Sequence, residues 1–558
     1  MVITGLIGLA LSGALANADF DGQTWLCSGQ SNMAYTLDRG RDAGFELPAD
    51  MATRLARVDL RFATLPVMTS LEPLAPHENP LHWRPVTPET MGESSAVCLF
   101  AALDYAEATG QSVRYIVSAL GGSHIEPWLP ARELADWFAA HPDWDAYMRD
   151  PEGALAAWQA EIEPVILAED PLSALRAADP DYWPDTSAWP VIAGPQRWEN
   201  TQIGARDGVV WLAHRFDLNA RDLTGPADLA LATIDDVDWT YVNGCAVGAN
   251  FIWSVDRHYT VDPACLREGE NEVLIRVYDG GGSGGLKSQA HQLYIQTQAG
   301  RRIALAGDWA YHLGAEPGLP SSPSGSAQTI PTGLYNGMIA PLLDQPIDAV
   351  IWYQGEGNRN ASTQGEYAQY LKALMRSWRS DFDAPDLPFV IVQLPEFDAQ
   401  GDGQGYRFGK IRLAQFLAAN SDPYAFLISG LGEGVLTDIH PWDKTQIAAR
   451  IAEALQGLSD HPALLLLSRE GARVSLSCDG ALSLEPGLVA DQGRPAFELC
   501  QDSEVCTPID VSLEGGQIYL PSGDALRGAL TYARADLPAQ KLMCAGRPLP
   551  AFQLHIPG

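Results

Sequence analysis

Positive charge is scarce in this chain. Its 558 residues carry 36 Lys+Arg against 70 Asp+Glu, a formal net charge of −34. Nucleic acid is therefore not expected as a partner, because polyanion binding is driven by counterions that Lys and Arg release. Anchoring on an anionic membrane surface is disfavoured for the same reason. Long apolar runs are missing too. Beyond the first residues, no stretch reaches the ~18 uninterrupted apolar positions of a membrane span. There is no Cys-x-x-Cys and no Cys/His cluster at zinc spacing, so no metal is expected. Charged residues are only 19%, too few for a disordered chain, and a 46% hydrophobic set can fill several cores. At about 100–200 residues per domain, the length implies roughly three or four units. The 16 Trp are many. Such rings serve as sugar platforms in carbohydrate-active proteins, but most are expected in the core.

Residues 2–18 are apolar and small and end in Ala16-Asn17-Ala18, the A-x-A pattern of a signal-peptidase site. A signal peptide over 1–18 is expected. No Lys or Arg precedes the apolar stretch, so an N-terminal strand or a start inside a longer frame stays open. Eight cysteines can pair in 105 ways. Cys500 with Cys506, and Cys245 with Cys265, are spaced to close small disulfide loops in an oxidising compartment. Cys27 and Cys98 lie in apolar runs and are expected as buried free thiols.

Two regions, 22–130 and 330–460, alternate short apolar runs with helical patterns. Trp25-Leu26-Cys27, Arg114-Tyr115-Ile116-Val117, Ala349-Val350-Ile351-Trp352-Tyr353, Phe389-Val390-Ile391-Val392 and Ala425-Phe426-Leu427-Ile428 read as strands. Tyr367 to Trp378 and Ile447 to Leu455 carry helical periodicity. This order predicts an α/β fold, a doubly wound parallel sheet with helices on both faces. The expected organisation is 19–195 for the first α/β part with a helical excursion, 196–312 for an inserted β-sandwich, 313–460 for the second α/β part, and 461–558 for a small β domain. Asn243-Gly244 between strand-like runs marks a hairpin. Gly280, Gly282 and Gly285 satisfy G-x-G-x-x-G, but strand-like residues follow, so no dinucleotide site is expected.

Four polar turns follow strands or precede the last helix. They are Ser28-Gly29-Gln30-Ser31-Asn32-Met33, Gly121-Gly122-Ser123, Tyr353-Gln354-Gly355-Glu356-Gly357-Asn358, and Thr437-Asp438-Ile439-His440-Pro441. A serine on a strand-to-helix turn presents its hydroxyl and its own N–H. Glycines let a main-chain N–H approach an oxyanion. Asp and His two apart let the carboxylate fix the imidazole tautomer. Together the turns supply a nucleophile, a base, an orienter and oxyanion donors.

These residues carry a resemblance. Trp25 to Met33 resembles the first block of the sialate O-acetylesterase family, within the SGNH-hydrolase superfamily. Gly121-Gly122-Ser123-His124-Ile125-Glu126-Pro127-Trp128 resembles its GGT-x-IE-x-W segment. Leu334-Tyr335-Asn336-Gly337-Met338 with Ile351 to Asn358 resembles its third block, and Asp438-Ile439-His440-Pro441 its Asp/His block. Segments between Ile234 and Asp279 are similar to the galactose-binding-like sandwich that interrupts the hydrolase domain in this family. Two departures stand out. The third block carries Gln354 and Glu356 where the superfamily has Gly-x-Asn-Asp, and position 357 is Gly where this branch usually has Ser.

The resemblance implies a carbohydrate O-acetylesterase with Ser31 as nucleophile, His440 as base and Asp438 as its orienter. It implies an oxyanion hole from the N–H groups of Ser31 and Gly122 and an amide of Gln354 or Asn358, Gln354 being favoured. Asn32, Glu356 and Asn358 are expected to bind substrate or support the turns. The implied partner is an acetylated sugar, with no metal or organic cofactor and a periplasmic or extracellular location. The rivals are an acetylxylan or other glycan acetylesterase and, from another class, a non-catalytic glycan-binding protein.

Overall fold

The computed structural model describes residues 20–558 apart from 254, 282–283, 288, 317, 319–324, 361, 399–404, 437, 458–464, 489–493, 502–504, 522–525 and 558. The expected leader over 1–18 lies outside the described residues. The chain forms two compact units, one running to residue 134 and resuming at 328, the other spanning 135–327.

The first unit is built on a seven-stranded sheet. Its strands are β1 (Gly22–Gly29), β2 (Leu60–Thr64), β3 (Arg84–Pro85), β4 (Ser112–Ala119), β5 (Ala349–Tyr353), β6 (Phe389–Val392) and β7 (Ala425–Ile428). Their order is β7-β6-β5-β1-β4-β2-β3, and every pairing is parallel except β2 with β3. Around it lie α1 (Ser31–Ala34), α2 (Leu37–Asp42), α3 (Ala96–Thr109), α4 (Tyr367–Asp381), α5 (Arg407–Ala419) and α6 (Thr445–Leu455). Side chains alternate across a sheet, and residues in register point the same way. Cys27 of β1 is bonded to Cys98 of α3, whereas Trp352, in register with the next residue Ser28, meets Trp378 of α4 edge-on at 5.8 Å. Helices therefore cover both faces, as a parallel sheet requires. That is why β5 and β6 are apolar at every position and wholly buried.

Cys27 and Cys98 correct an expectation: they form a disulfide and are not free thiols. Both were read as apolar packing residues, and they are; the helix over that face simply sets the two thiols opposite one another. Cys245–Cys265 and Cys500–Cys506 pair as expected, and Cys478–Cys544 completes the set.

The strands between Leu466 and His555 form small antiparallel sheets within the same unit as the parallel sheet. Arg412 of α5 is fully buried and donates to the main-chain oxygens of Pro395 and Asp536, each at 3.2 Å, and of Ala535. The Asp536 carboxylate accepts from the N–H of Phe408 and of Gly409 at the start of α5. The tail is thus bonded into the α/β layer.

The second unit holds helices Pro142–Arg149, Pro151–Glu169 and Pro171–Ala178, then a six-stranded and a five-stranded sheet around one apolar cluster that includes Leu229, Val273, Ile275 and Trp309. Asn243 and Gly244 both take positive φ and join Val237–Val242 to Cys245–Asn250, the two-residue hairpin their sequence specifies. Gly285-Leu286 pairs antiparallel with Asp235 and Ile234, so the G-x-G-x-x-G stretch leads into a strand and not a helix. Among the described residues, no helix is long and apolar enough to cross a membrane.

Candidate active site

All the singled-out residues lie in the first unit, at the carboxyl ends of β1, β4 and β5 and in the loop before α6. Gly29 ends β1 at φ +140°, and a Cβ there would stand 2.2 Å from the Tyr353 carbonyl oxygen, so only glycine lets the strand turn here. Ser31 then opens α1. Gly121 faces it so closely that a Cβ at 121 would lie 3.4 Å from the Ser31 Cβ. Gly122 has φ +76°.

The turn after β5 is tied to both neighbours. Gln30 Oε1 accepts from the N–H of Gly355 at 3.2 Å and of Gly357 at 3.0 Å. Asn358 Oδ1 accepts from the Ile125 N–H at 3.0 Å, and its Nδ2 donates to Glu126 at 3.0 Å. Gly357 has no room for the Ser usual in the resembled branch: a Cβ would lie 2.5 Å from Ser123 O and 3.1 Å from Gly122 O. The missing side chain is what lets this turn touch the Gly122 loop.

Gln354 requires a correction. It is fully buried, and its Nε2 donates to Ser123 O at 2.9 Å and to Asn358 Oδ1 at 2.8 Å. Its Oε1 accepts from the Tyr367 hydroxyl at 2.7 Å. An amide has two N–H donors, and both are engaged, so Gln354 braces the Gly122 loop and does not offer an oxyanion donor. The sequence could not reveal this, because its partners come from residues 123, 358 and 367 only on folding.

The Asp/His loop closes the site. His440 Nδ1 bonds Asp438 Oδ1 at 3.0 Å. The imidazole stacks on Tyr35 at 5.9 Å between centroids. Burial lowers the His440 pKa below its ordinary 6.5, Arg39 adds to the lowering, and Asp438 opposes it. Asn32, next to Ser31, donates from Nδ2 to Ile439 O at 3.1 Å and to Glu356 Oε1 at 2.5 Å. The loop of His440 is thereby bonded to the turn of Ser31. Among the bonds of the described residues, none joins Ser31 directly to His440, and the two are coupled through Asn32 and Ile439. Glu356 is 1% exposed, and burial raises its pKa.

Sequence reading missed Lys444, which donates to Asn32 Oδ1 at 2.6 Å. It also missed Arg39, exposed on α2 with its guanidinium 4.9 Å from the Tyr35 ring. A lysine at a helix start is an ordinary surface signal, so nothing in the local sequence marked it. No group of His, Cys, Asp and Glu suited to a metal occurs among the described residues.

Residues 324–448 match the family of carbohydrate esterases described as sialic acid-specific acetylesterases. The resemblance read from the motifs to the sialate O-acetylesterase family holds over that stretch. A sialate O-acetylesterase of Rattus norvegicus is 33% identical over 94 residues, 17% of this chain and 15% of that protein. That of Homo sapiens is 32% identical over 134 residues, 21% of this chain and 25% of that protein. The matches thus span a quarter or less of these relatives' own length. The fold is shared with a carbohydrate acetylesterase from Xanthomonas citri at TM-score 0.50 and 19% identity, over 95% of this chain and 80% of that one.

Proposed function

We propose that the chain is a carbohydrate O-acetylesterase of the sialate O-acetylesterase type, working through an acetyl-enzyme on Ser31. Ser31 Oγ attacks the acetyl carbonyl while His440 takes its proton. Asp438 holds the imidazole and stabilises the imidazolium. The N–H groups of Ser31 and Gly122 receive the oxyanion, each such donor being worth about 10²–10³ in rate. His440 returns the proton to the leaving sugar hydroxyl. Water then attacks the acetyl-enzyme with His440 again as base, releasing acetate.

The observation that carries this reading is the Asn32 bridge. One side chain beside the nucleophile grips Ile439, the residue between Asp438 and His440. A dead hydrolase scaffold used only for glycan binding has no need of that coupling. Arg39 favours an anionic sugar such as a sialic acid over a neutral xylan. It is an exposed cation acting on His440, in a chain that has few. The layering of the first unit supports an SGNH-like arrangement, and the two packed sheets of the second support a galactose-binding-like insertion. Four disulfides with no free cysteine support an oxidising, periplasmic or extracellular location.

The test is acetate release from a 9-O-acetylated sialic acid and from acetylated xylan, with wild type and Ser31→Ala. Release from the sialic acid that Ser31→Ala abolishes is the expected result. Preference for xylan transfers the assignment to an acetylxylan esterase, and undiminished turnover in Ser31→Ala overturns the nucleophile.

A further inference from the structure

Lys444 takes no part in the chemistry above, yet its ammonium lies inside the site. It stands immediately before α6, four positions past His440, and is 1% exposed. A buried ammonium is costly unless its surroundings answer it. Here the rings of Tyr35 and Tyr353 lie 5.3 Å and 5.5 Å from Nζ. The charged groups that face it are Glu356 from the turn after β5, Asp438 from the His440 loop, Asp443 from its own loop and Arg39 from α2. Burial lowers its pKa to about 7, with the three carboxylates opposing.

An ammonium has three donors and no acceptor. It therefore favours the oxygen end of the Asn32 amide, and that is the end it meets. The amide NH₂ must point the other way, where it meets two acceptors, Glu356 Oε1 and Ile439 O. Without the lysine, the amide oxygen loses this donor, and Glu356 and Ile439 alone hold the amide in its orientation. Flipped, the Asn32 oxygen would face a carboxylate and a carbonyl, and the bond to Ile439 would be lost.

We propose that Lys444 is a positioning residue for ester hydrolysis: it orients the Asn32 amide and, through Ile439, holds His440 in place against the turn of Ser31. The inference rests on the acyl-enzyme reading above. It has two separable consequences. A loosened His440 loop slows the chemical step more than it weakens binding, since misplacement of about 1 Å costs on the order of 10²-fold. The second is electrostatic. Lys444 and Arg39 disfavour protonation of His440, and Asp438 favours it. His440 accepts a proton only when neutral, so removing the Lys444 charge raises the His440 pKa and moves the acid limb of activity to higher pH.

The experiment measures kcat, KM and the pH profile of kcat/KM for aryl acetate hydrolysis by the full chain. Lys444→Met is compared with Lys444→Arg, Ser31→Ala and wild type. Lys444→Met is expected to lose about 10–100-fold in kcat with KM little changed, and its acid limb to shift upward. Lys444→Arg keeps the charge and is expected to keep the acid limb where wild type has it. A Lys444→Met protein with wild-type kcat, or with lowered stability and an unmoved acid limb, overturns the positioning role. If Lys444→Met does not fold, the pair Lys444→Met/Glu356→Gln removes both buried charges, and wild-type kcat in that pair overturns the positioning role. Active Ser31→Ala overturns the esterase reading itself; inactive Ser31→Ala beside an unchanged Lys444→Met overturns only this inference.

Discussion

Asp438 Oδ1 accepts two hydrogen bonds from His440, one from its main-chain N–H at 2.9 Å and one from ring Nδ1 at 3.0 Å. A carboxylate only accepts, so Nδ1 carries the proton and Nε2 keeps its lone pair. The two-residue spacing makes this possible: the loop turns back on itself, and one oxygen fixes both the backbone and the ring.

Asp438→Asn puts an amide where an obligate acceptor stood and lets the wrong tautomer form. The expected loss in kcat/KM for an aryl acetate is about 10²–10⁴-fold. The Asp438 side chain is 48% exposed, so a screened pair of this kind contributes little stability, and the melting temperature is expected to stay close to wild type. Full activity in Asp438→Asn would remove Asp438 from the proposed triad.

The pH profile follows from the same pair. Burial and Arg39 lower the His440 pKa, and a base is active only when deprotonated. The acid limb of kcat/KM is therefore expected below the ordinary histidine value of 6.5. Arg39 is exposed, so its share is screened by salt, and raising ionic strength moves the limb upward. A limb at or above 6.5 in low salt contradicts the electrostatics described here.

Gly357→Ser restores the residue usual in the resembled branch, and here it is expected to impair. Its Cβ would stand 2.5 Å from Ser123 O, so the loop bearing the Gly122 N–H must retreat. A displaced oxyanion donor costs about 10²–10³-fold in kcat. Steady-state kinetics on Gly357→Ser tests this, and kcat equal to wild type shows that the loop shifts without consequence.

The disulfides differ in what they stabilise. Cys27–Cys98 closes a separation of 71 residues and Cys500–Cys506 one of 6. Loop entropy assigns them ~4 and ~2 kcal/mol. Removing the first by Cys27→Ala/Cys98→Ala is expected to lower the denaturation midpoint more than removing the second. The reverse order in parallel urea titrations refutes this ranking.

Local signals carried much of the architecture. Runs such as Phe389-Val390-Ile391-Val392, apolar at every position, belong to strands buried on both faces, and that reading holds. The hairpin at Asn243-Gly244 was legible because positive φ at two successive positions leaves few residue choices. The candidates Ser31, Asp438 and His440 could be named from sequence because a polar residue at a strand end, or two apart in a loop, is visible in one dimension.

Roles that depend on distant partners were not legible. Gln354 looked like a donor, and its amide is engaged by Ser123 and Asn358. Lys444 carries no local sequence signal, and it bonds a residue 412 positions away. Cys27 and Cys98 looked inert, and they are joined. The sequence by itself determined the scarcity of cations, the alternation that makes a parallel sheet, and which side chains are capable of ester chemistry. Tertiary structure alone decided which polar atoms are already engaged, and by which partners. A hydrogen-bonding group has a fixed number of donors and acceptors, and only the fold determines which neighbours take them.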